Sequence, residues 1–249
     1  MTRWTPRVTD RAVERALGLL AGMALDAALG DPRRAHPVAM FGRAAAALER
    51  RIYADSKRRG TVYAGTLVAG AAAVGALAQR LAPGRTARVA LTAVATWTVL
   101  GGTSLGREGR AMAAALRAGD LAAARARLPH LCGRDPRHLD ARELARATVE
   151  SVAENTGDAV VAPLVWGAVA GVPGLLAYRA VNTLDAMVGH RNERYGRFGW
   201  ASARLDDAAN WVPARLTALL TAACAPVAGG SGRRSRAVLR RDGAAHPSP

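Results

Sequence analysis

The stretch TVYAGTLVAGAAAVGALAQ, residues 61–79, contains nineteen consecutive residues without a charged side chain. A helix of this length, at about 1.5 Å per residue, crosses a hydrocarbon core of about 30 Å. A second uncharged run, residues 89–105, follows after a polar turn at 80–88. The two runs predict a transmembrane helical hairpin. The alternative is a buried hairpin of a soluble protein, which stays open because alanine is only weakly lipophilic.

The composition is strongly basic and half apolar. The 249 residues include 35 Lys and Arg against 19 Asp and Glu, a formal charge of +16, and 50% are hydrophobic. Such a charge is typical of proteins that bind nucleic acid or an anionic surface. Here the apolar residues occur in blocks with arginines between them, whereas a basic amphipathic helix would interleave the two. The pattern therefore favours a multi-pass protein of the cell membrane with basic loops, and it argues against a nucleic-acid partner.

The whole chain, residues 1–249, is predicted to form one all-α domain, a multi-pass integral membrane helical protein with a helical lobe on the cytoplasmic side. The lobe is the Ala/Arg/Glu-rich region 106–158, in which Asp120 and Asp140 follow Gly and Pro breaks and are candidate helix N-caps. We expect the membrane segments at about 16–29, 61–79, 89–105, 159–178 and 211–230, the first being a weak membrane or interfacial helix.

The segment 159–178 has two interpretations. The GVPG sequence at 171–174 divides it, and residues 160–170 would form only about 16 Å of helix, which is too short to span. It is therefore either one kinked span or a re-entrant helical hairpin. A full span would place the arginine-rich segment 179–210 outside, which the positive-inside rule disfavours. We predict the re-entrant hairpin.

Three polar clusters contain candidate catalytic and metal-binding residues. The first lies in ESVAENTGD, residues 150–158. Glu150, Glu154 and Asp158 recur every four residues, so they share one face if the helix persists. Like charges at this spacing repel by a few tenths of a kcal/mol per pair unless a cation lies between them. An unsatisfied carboxylate is also costly beside an apolar segment. The alternative is a solvated acidic face.

The other two clusters combine carboxylates with amides. Asn182 and Asp185 are three residues apart, and Asp206 and Asn210 are one helical turn apart. Oxygen ligands of this kind suit Mg²⁺ that bridges phosphates, so these four residues are the candidate metal ligands. If 159–178 is re-entrant, all three clusters lie on one side of the membrane and can converge.

Basic residues near these clusters suit anionic substrates. Arg191 and Arg194 are suited to bidentate binding of phosphate or carboxylate, although an ordinary basic loop is an equal alternative. His36 lies in a turn between two prolines, where a structural role is more common than a substrate role. The sequence has no phosphate-binding GxxxxGK[ST] loop and no GxSxG elbow.

Three blocks resemble the CobD/CbiB family of cobalamin biosynthesis. They are LDAALGDPRRAHPVAMFGR (25–43), ESVAENTGDAVVAPLVWGAVAG (150–171) and AYRAVNTLDAMVGHRNERYGRFGWASARLDDAANWVPARLTALL (177–220). The resemblance implies an integral membrane enzyme that converts adenosylcobyric acid to adenosylcobinamide (phosphate). It would join a propionate carboxylate of the corrinoid to aminopropanol or its phosphate, with ATP driving amide formation. Family members usually continue past residues 240–249 with a further segment and a final hydrophobic stretch, so we expect this chain to lack that part.

The resemblance also implies ATP and Mg²⁺ as cofactors. Its partners would be the corrinoid and aminopropanol (phosphate) substrates, membrane lipid and other cobalamin-assembly enzymes. Our catalytic candidates are Glu154, Asp158 and Asp185, and our substrate-binding candidates are His36, Arg191, Asn192, Glu193, Arg194 and Arg204. Two rival functions remain at this point: an intramembrane Mg²⁺-dependent prenyl- or alcohol-phosphate transferase, and a non-enzymatic subunit for corrinoid transport or assembly.

Overall fold

The structure, a computed structural model, describes residues 7–31 and 37–242. Within these ranges the chain forms α-helices joined by short 3-10 and π turns and contains no strand, which confirms the all-α class. The helices are α1 (Arg7–Leu29), α2 (Pro37–Ile52), α3 (Lys57–Leu81), α4 (Gly84–Val99), α5 (Gly102–Arg117), α6 (Leu121–Arg127), α7 (Ala141–Thr156), α8 (Ala162–Ala170), α9 (Val172–Val188), α10 (Trp200–Cys224) and α11 (Gly232–Asp242).

Helices α1 and α4 approach closely because glycines face threonines. Gly18 and Gly22 lie one turn apart on α1, and a Cβ atom on either would collide with Thr92 or Thr96 of α4. Small residues at this spacing let two helix backbones come together, and their close approach adds van der Waals attraction along the interface between α1 and α4. The two threonine hydroxyls donate to carbonyls of their own helix, four residues earlier, so neither of these hydroxyls is left unsatisfied at the interface.

Helix α3 packs along the length of α9. Near the start of α3, the buried side chains of Tyr63, Leu184, Val188 and Phe198 form one core cluster. Near its end, α3 meets the first turn of α9, where a Cβ on Gly75 would lie 2.8 Å from the Cα of Pro173. Contact at both ends fixes α9, and with it the polar residues on its last turns.

The chain bends sharply between α8 and α9, where the GVPG sequence predicted a break. Gly171 has φ 67°, a conformation that favours glycine. Just beyond it, a Cβ on Gly174 would collide with the carbonyl of Trp166, so the two helices are in direct contact. The sequence did not predict how α7 reaches α8: the helix continues through a π-helical turn, Gly157–Val161, without a loop.

The polar lobe is a small helical unit made of α5, α6 and α7. Its core contains Met112, Leu128 and Leu144, all fully buried. Both predicted N-caps are present. Asp120 accepts a hydrogen bond from the Ala123 amide at 2.9 Å, and Asp140 forms a reciprocal capping box at the start of α7. The lobe begins earlier than predicted, at the start of α5.

Two helical stretches in the described ranges are long and apolar enough to cross a membrane. They are Lys57–Leu81, which is α3, and Gly84–Arg117, which runs through α4 and α5. These stretches contain the two uncharged runs of the sequence. The predicted segment 16–29 lies in α1, and 211–230 comprises the second half of α10 and the turn that follows it. Neither helix meets the same criterion of length and hydropathy.

Candidate functional site

A cavity of about 820 Å³ lies between α7, the π turn, α9, α10 and α11. We call it the acidic pocket, because five of the described residues that line it are carboxylates drawn from all three polar clusters: Glu154, Asp158, Asp185, Asp206 and Asp207. Asn210 also lines it. Residues that are about fifty positions apart in the sequence therefore meet in one place.

The continuous helix through the π turn explains why Glu154 and Asp158 face the same space. No loop intervenes between α7 and α8, so the four-residue spacing keeps both side chains on one face. Glu150, one turn earlier, is not in the pocket. It accepts hydrogen bonds from Arg146 at 2.6 Å and from Arg134 at 3.3 Å. Of the three acidic residues at four-residue spacing, Glu150 is therefore ion-paired outside the pocket, whereas Glu154 and Asp158 line it.

Amide side chains hold Asp206 in place. The Nδ2 of Asn210 donates to Asp206 Oδ2 at 3.0 Å, and the hydroxyl of Tyr178 donates to Asn210 Oδ1 at 2.9 Å. The other carboxylate oxygen, Asp206 Oδ1, is buried and has no hydrogen-bond partner in the described part of the chain. A buried acceptor without a partner is costly, so this oxygen is poised to accept a ligand's donor or a cation.

The carboxylates of the pocket raise one another's pKa. Burial, followed by the charges of Asp206, Glu154 and Asp185, raises the pKa of Asp158 to about 7. Burial and then the charge of Asp185 raise the pKa of Asp206 to about 6. The pKa of Asp185 is raised by burial and then by the charge of Asp207. A proton or a cation in this pocket would therefore relieve repulsion.

The donor set fits Mg²⁺ that is shared with a phosphate, and not a cage built by protein alone. In the described ranges no group of three His, Cys, Asp or Glu side chains is placed to hold one metal ion. Mg²⁺ commonly takes only one or two carboxylates and completes its shell with phosphate oxygens and water. Asp206, with its unpartnered oxygen, and the neighbouring Asp185 offer that arrangement.

The two amides predicted as metal ligands, Asn182 and Asn210, form hydrogen bonds with neighbouring side chains. The oxygen of Asn210 already accepts from Tyr178, and the oxygen of Asn182 accepts from Arg179 at 3.4 Å. Hydrogen bonds from both amides lower the pKa of Asp206, against the effect of burial. Both amides therefore orient the Asp206 carboxylate in this structure, and their assignment as metal ligands stays a prediction.

The predicted substrate-binding residues are dispersed. Arg191, Asn192 and Glu193 are exposed on the loop before α10 and do not line the acidic pocket. Arg194 donates to Glu49 Oε1 at 3.1 Å and lies over the ring of Tyr53, which is a structural contact with α2. The remaining two are Arg204, which donates to Asp207 Oδ2 at 3.2 Å, and His36, which lies outside the described residues.

Two basic residues of this region were missed from the sequence. Arg179 lies on α9, where its charge lowers the pKa of Asp158, and its Nε is buried with no partner among the described residues. Its signal was available, because an arginine at the edge of an apolar segment is a functional candidate by default. Arg234 of α11 also lines the acidic pocket, and nothing in the local sequence pointed to it.

Residues 19–249 match the family described as CobD/Cbib protein. The chain belongs to the CobD/Cbib family. It is 57% identical over 235 residues to cobalamin biosynthesis protein CobD of Mycobacterium tuberculosis, covering 94% of this chain and 75% of that protein. The proteins of the same name from Geobacter metallireducens and Rhodobacter capsulatus are 46% and 41% identical over 239 residues, with 93% of this chain covered and 74% and 75% of theirs. No solved structure matches the chain.

The family membership confirms the resemblance that the three sequence blocks carry. The matched range contains every residue of the acidic pocket, from Ala153 to Leu239. This CobD/Cbib protein has a role in cobalamin biosynthesis.

Proposed function

We propose that the acidic pocket catalyses amide formation between a propionate carboxylate of adenosylcobyric acid and aminopropanol or its phosphate, with ATP as the driving reagent. The product would be adenosylcobinamide or its phosphate. The observation that carries this proposal is the convergence of carboxylates from three separate sequence clusters on one cavity of about 820 Å³.

The chemistry requires charge neutralisation and a proton acceptor. A carboxylate does not react directly with an amine, so it first takes a phosphoryl group from ATP and releases ADP. The amine then attacks the carbonyl carbon and expels phosphate. Asp185 and Asp206 would hold Mg²⁺, which when bound neutralises the charge of the phosphate oxygens. Arg204 and Arg234, at the edge of the pocket, supply further positive charge for anionic groups.

Asp158 suits the proton transfer. The attacking amine is protonated at neutral pH and must lose that proton before its lone pair can react. A general base works best when its pKa lies near the working pH, and burial with neighbouring charges raises the pKa of Asp158 to about 7. We therefore assign the proton to an Asp158 carboxylate oxygen, with Glu154 beside it sustaining the raised pKa.

Purified protein in detergent, supplied with adenosylcobyric acid, Mg²⁺ and ATP, is expected to form cobinamide product that mass spectrometry detects. Aminopropanol and its phosphate are tested in separate reactions, so that the reaction that proceeds identifies the amine. Omission of ATP is expected to abolish the product. Failure with both amines would sink the proposed reaction, and ATP-independent turnover of a lipid diphosphate would favour the transferase instead.

We also propose that the protein lies in the cell membrane, with two spans: α3, and the region 89–105, which comprises most of α4 and the first turn of α5. The α8–α9 hairpin would be re-entrant, with the polar lobe and the acidic pocket on the cytoplasmic side. The apolar length of the two stretches supports the spans. The arginines of 179–210 and of the lobe outnumber those of the α3–α4 turn, which supports the orientation.

Thiol labelling in intact cells tests this orientation. In a background in which the free Cys132 and Cys224 are replaced by serine, Asn192→Cys is expected to react with an impermeant reagent only after the membrane is opened. Thr86→Cys, exposed in the first turn of α4 beside the α3–α4 connection, is the control and is expected to react from outside. Labelling of position 192 in intact cells would contradict the re-entrant arrangement.

A further inference from the structure

We propose that a second cavity, at the opposite end of α9 from the acidic pocket, binds a phosphate-bearing anion. The proposed membrane orientation, on which this part of the inference rests, makes the headgroup of an anionic phospholipid its natural source. The cavity measures about 780 Å³, and we call it the basic pocket. Among the described residues, five arginines of α1, α3 and α4 line it: Arg11, Arg15, Arg80, Arg85 and Arg88.

The lining of the basic pocket has an excess of positive charge. Asp10 and Glu14 are the carboxylates among its described lining residues, against the five arginines. Glu14 is occupied by an ion pair with Arg88 at 2.8 Å. The pKa of Glu14 is lowered first by the hydrogen bond from Arg88 and further by the charges of Arg85 and Arg11. A positive potential therefore remains in the cavity after the internal pair has formed.

Several donors of the basic pocket are uncommitted. Arg11, Arg80 and Arg85 have no hydrogen-bond or ion-pair partner in residues 7–31 and 37–242. The planar guanidinium group offers paired N–H donors that match the oxygens of a phosphate. Three such groups from three helices can converge on one anion, which a scattered surface charge cannot do.

One arginine is already held in position. Arg15 Nη1 donates to the carbonyl of Val169 at 2.8 Å, at the end of α8. Its Nε is buried without a partner among the described residues, as is the amide oxygen of Gln79. Both atoms lie against Gly171, where a Cβ would meet them at 3.2 and 3.0 Å. Arg15 is thus held at the wall of the basic pocket by the end of α8, where its guanidinium group contributes positive charge to the cavity.

The basic pocket is distinct from the site proposed for amide formation. Pro173 lines the basic pocket and Asp185 lines the acidic pocket. Both are on α9, so twelve residues of helix, about 18 Å, separate them. The turn between α3 and α4 forms one wall of the basic pocket, and it lies at a membrane surface if these helices span. Phosphate headgroups are concentrated at that depth.

Equilibrium binding to the purified chain in neutral detergent tests this inference without ATP or corrinoid, so its outcome is independent of the amide-forming reaction. The probes are dihexanoyl-phosphatidylglycerol, dihexanoyl-phosphatidylcholine and inorganic phosphate. We expect saturable binding of phosphatidylglycerol that weakens with added salt, and no saturable binding of phosphatidylcholine. The double variant Arg80→Gln/Arg85→Gln is expected to bind phosphatidylglycerol at least about tenfold more weakly.

The matched control removes two arginines from the other end of the same helix. Arg58→Gln/Arg59→Gln, both exposed, is expected to keep the affinity within about twofold. Arg80→Lys/Arg85→Lys, which retains the charge but not the paired N–H donors, is expected to bind phosphatidylglycerol with an affinity between those of the unmodified chain and the glutamine variant. The unfolding midpoint of each variant verifies folding. Full displacement of phosphatidylglycerol by inorganic phosphate supports the anion site and assigns it to a soluble phosphate. The inference would be overturned if Arg80→Gln/Arg85→Gln and Arg58→Gln/Arg59→Gln lost the same affinity for phosphatidylglycerol. Equal binding of phosphatidylglycerol and phosphatidylcholine would overturn it as well.

Discussion

Replacement of Asp158 with asparagine is expected to lower the rate of amide formation by at least about 100-fold and, above pH 7, to make the folded protein more stable. The loss of rate follows from the proposed proton transfer, since asparagine has nearly the same shape but cannot accept a proton. General-base catalysis contributes about 10²–10⁴-fold. The rate should not recover at higher pH, because the missing group does not titrate.

The gain in stability follows from the direction of the pKa shift. Folding raises the pKa of Asp158 from 3.8 to about 7, so between these values the folded state binds more protons than the unfolded state. The contribution of this carboxyl to stability is therefore complete below pH 4 and is lost as the pH rises to about 7. An asparagine side chain has no such dependence, so the variant's advantage grows over this range and reaches about 2–4 kcal/mol at pH 8.

Two measurements on the same preparations check these expectations. The rate is followed as cobinamide product at saturating substrates, and the unfolding midpoint is followed from pH 4.5 to pH 8 with a chelator present, so that no cation compensates the carboxylates. Glu150→Gln is the matched control, because Glu150 belongs to the same series of acidic residues at four-residue spacing as Asp158 but is ion-paired outside the pocket. It is expected to keep the rate within about twofold. A variant that is inactive but less stable at pH 8 would refute the raised pKa of Asp158.

The parts of this fold that the sequence predicted are those governed by local chemistry. The uncharged run of nineteen residues lies within α3, Asp120 and Asp140 cap their helices, and the chain bends at Gly171. Each of these features depends on side chains within a few residues of the backbone they affect. The sequence also predicted that the three polar clusters converge, on the condition that the segment 159–178 is re-entrant.

The features that the sequence did not predict depend on contacts between distant residues. The close contact between Gly22 and Thr96 can be recognised only when the positions of both helices are known. Arg194 looked suited to an anion, and its pairing with Glu49 depends on how α2 meets the loop before α10. Arg234 lines the acidic pocket only because α11 folds back on α10. Local periodicity contains no information about such pairs.

The replacement of Gly60 with alanine is expected to destabilise the protein by about 3 kcal/mol, whereas the same change at Gly65, five residues along the same helix, is not. A Cβ on Gly60 would overlap the carbonyl oxygen of Phe198, which is backbone and cannot rotate away. The helix or the loop must therefore move, and overpacking of this kind costs about 1–3 kcal/mol or more. Phe198 also packs on Tyr63 at 5.1 Å between ring centroids, so the movement would disturb that core cluster.

Gly65 provides the control within the same helix, since a Cβ there meets nothing within 4 Å. Alanine at an open helical position stabilises by up to about 1 kcal/mol, because it restricts the unfolded chain more than glycine does. For a chain of this size, about 3 kcal/mol corresponds to a fall in the unfolding midpoint of roughly 6–12 °C. Because Leu184 of the same cluster adjoins Asp185 of the acidic pocket, movement of the cluster should also lower the activity of the Gly60 variant. Equal midpoints for Gly60→Ala and Gly65→Ala would mean that α3 does not meet the loop before α10 in the way described.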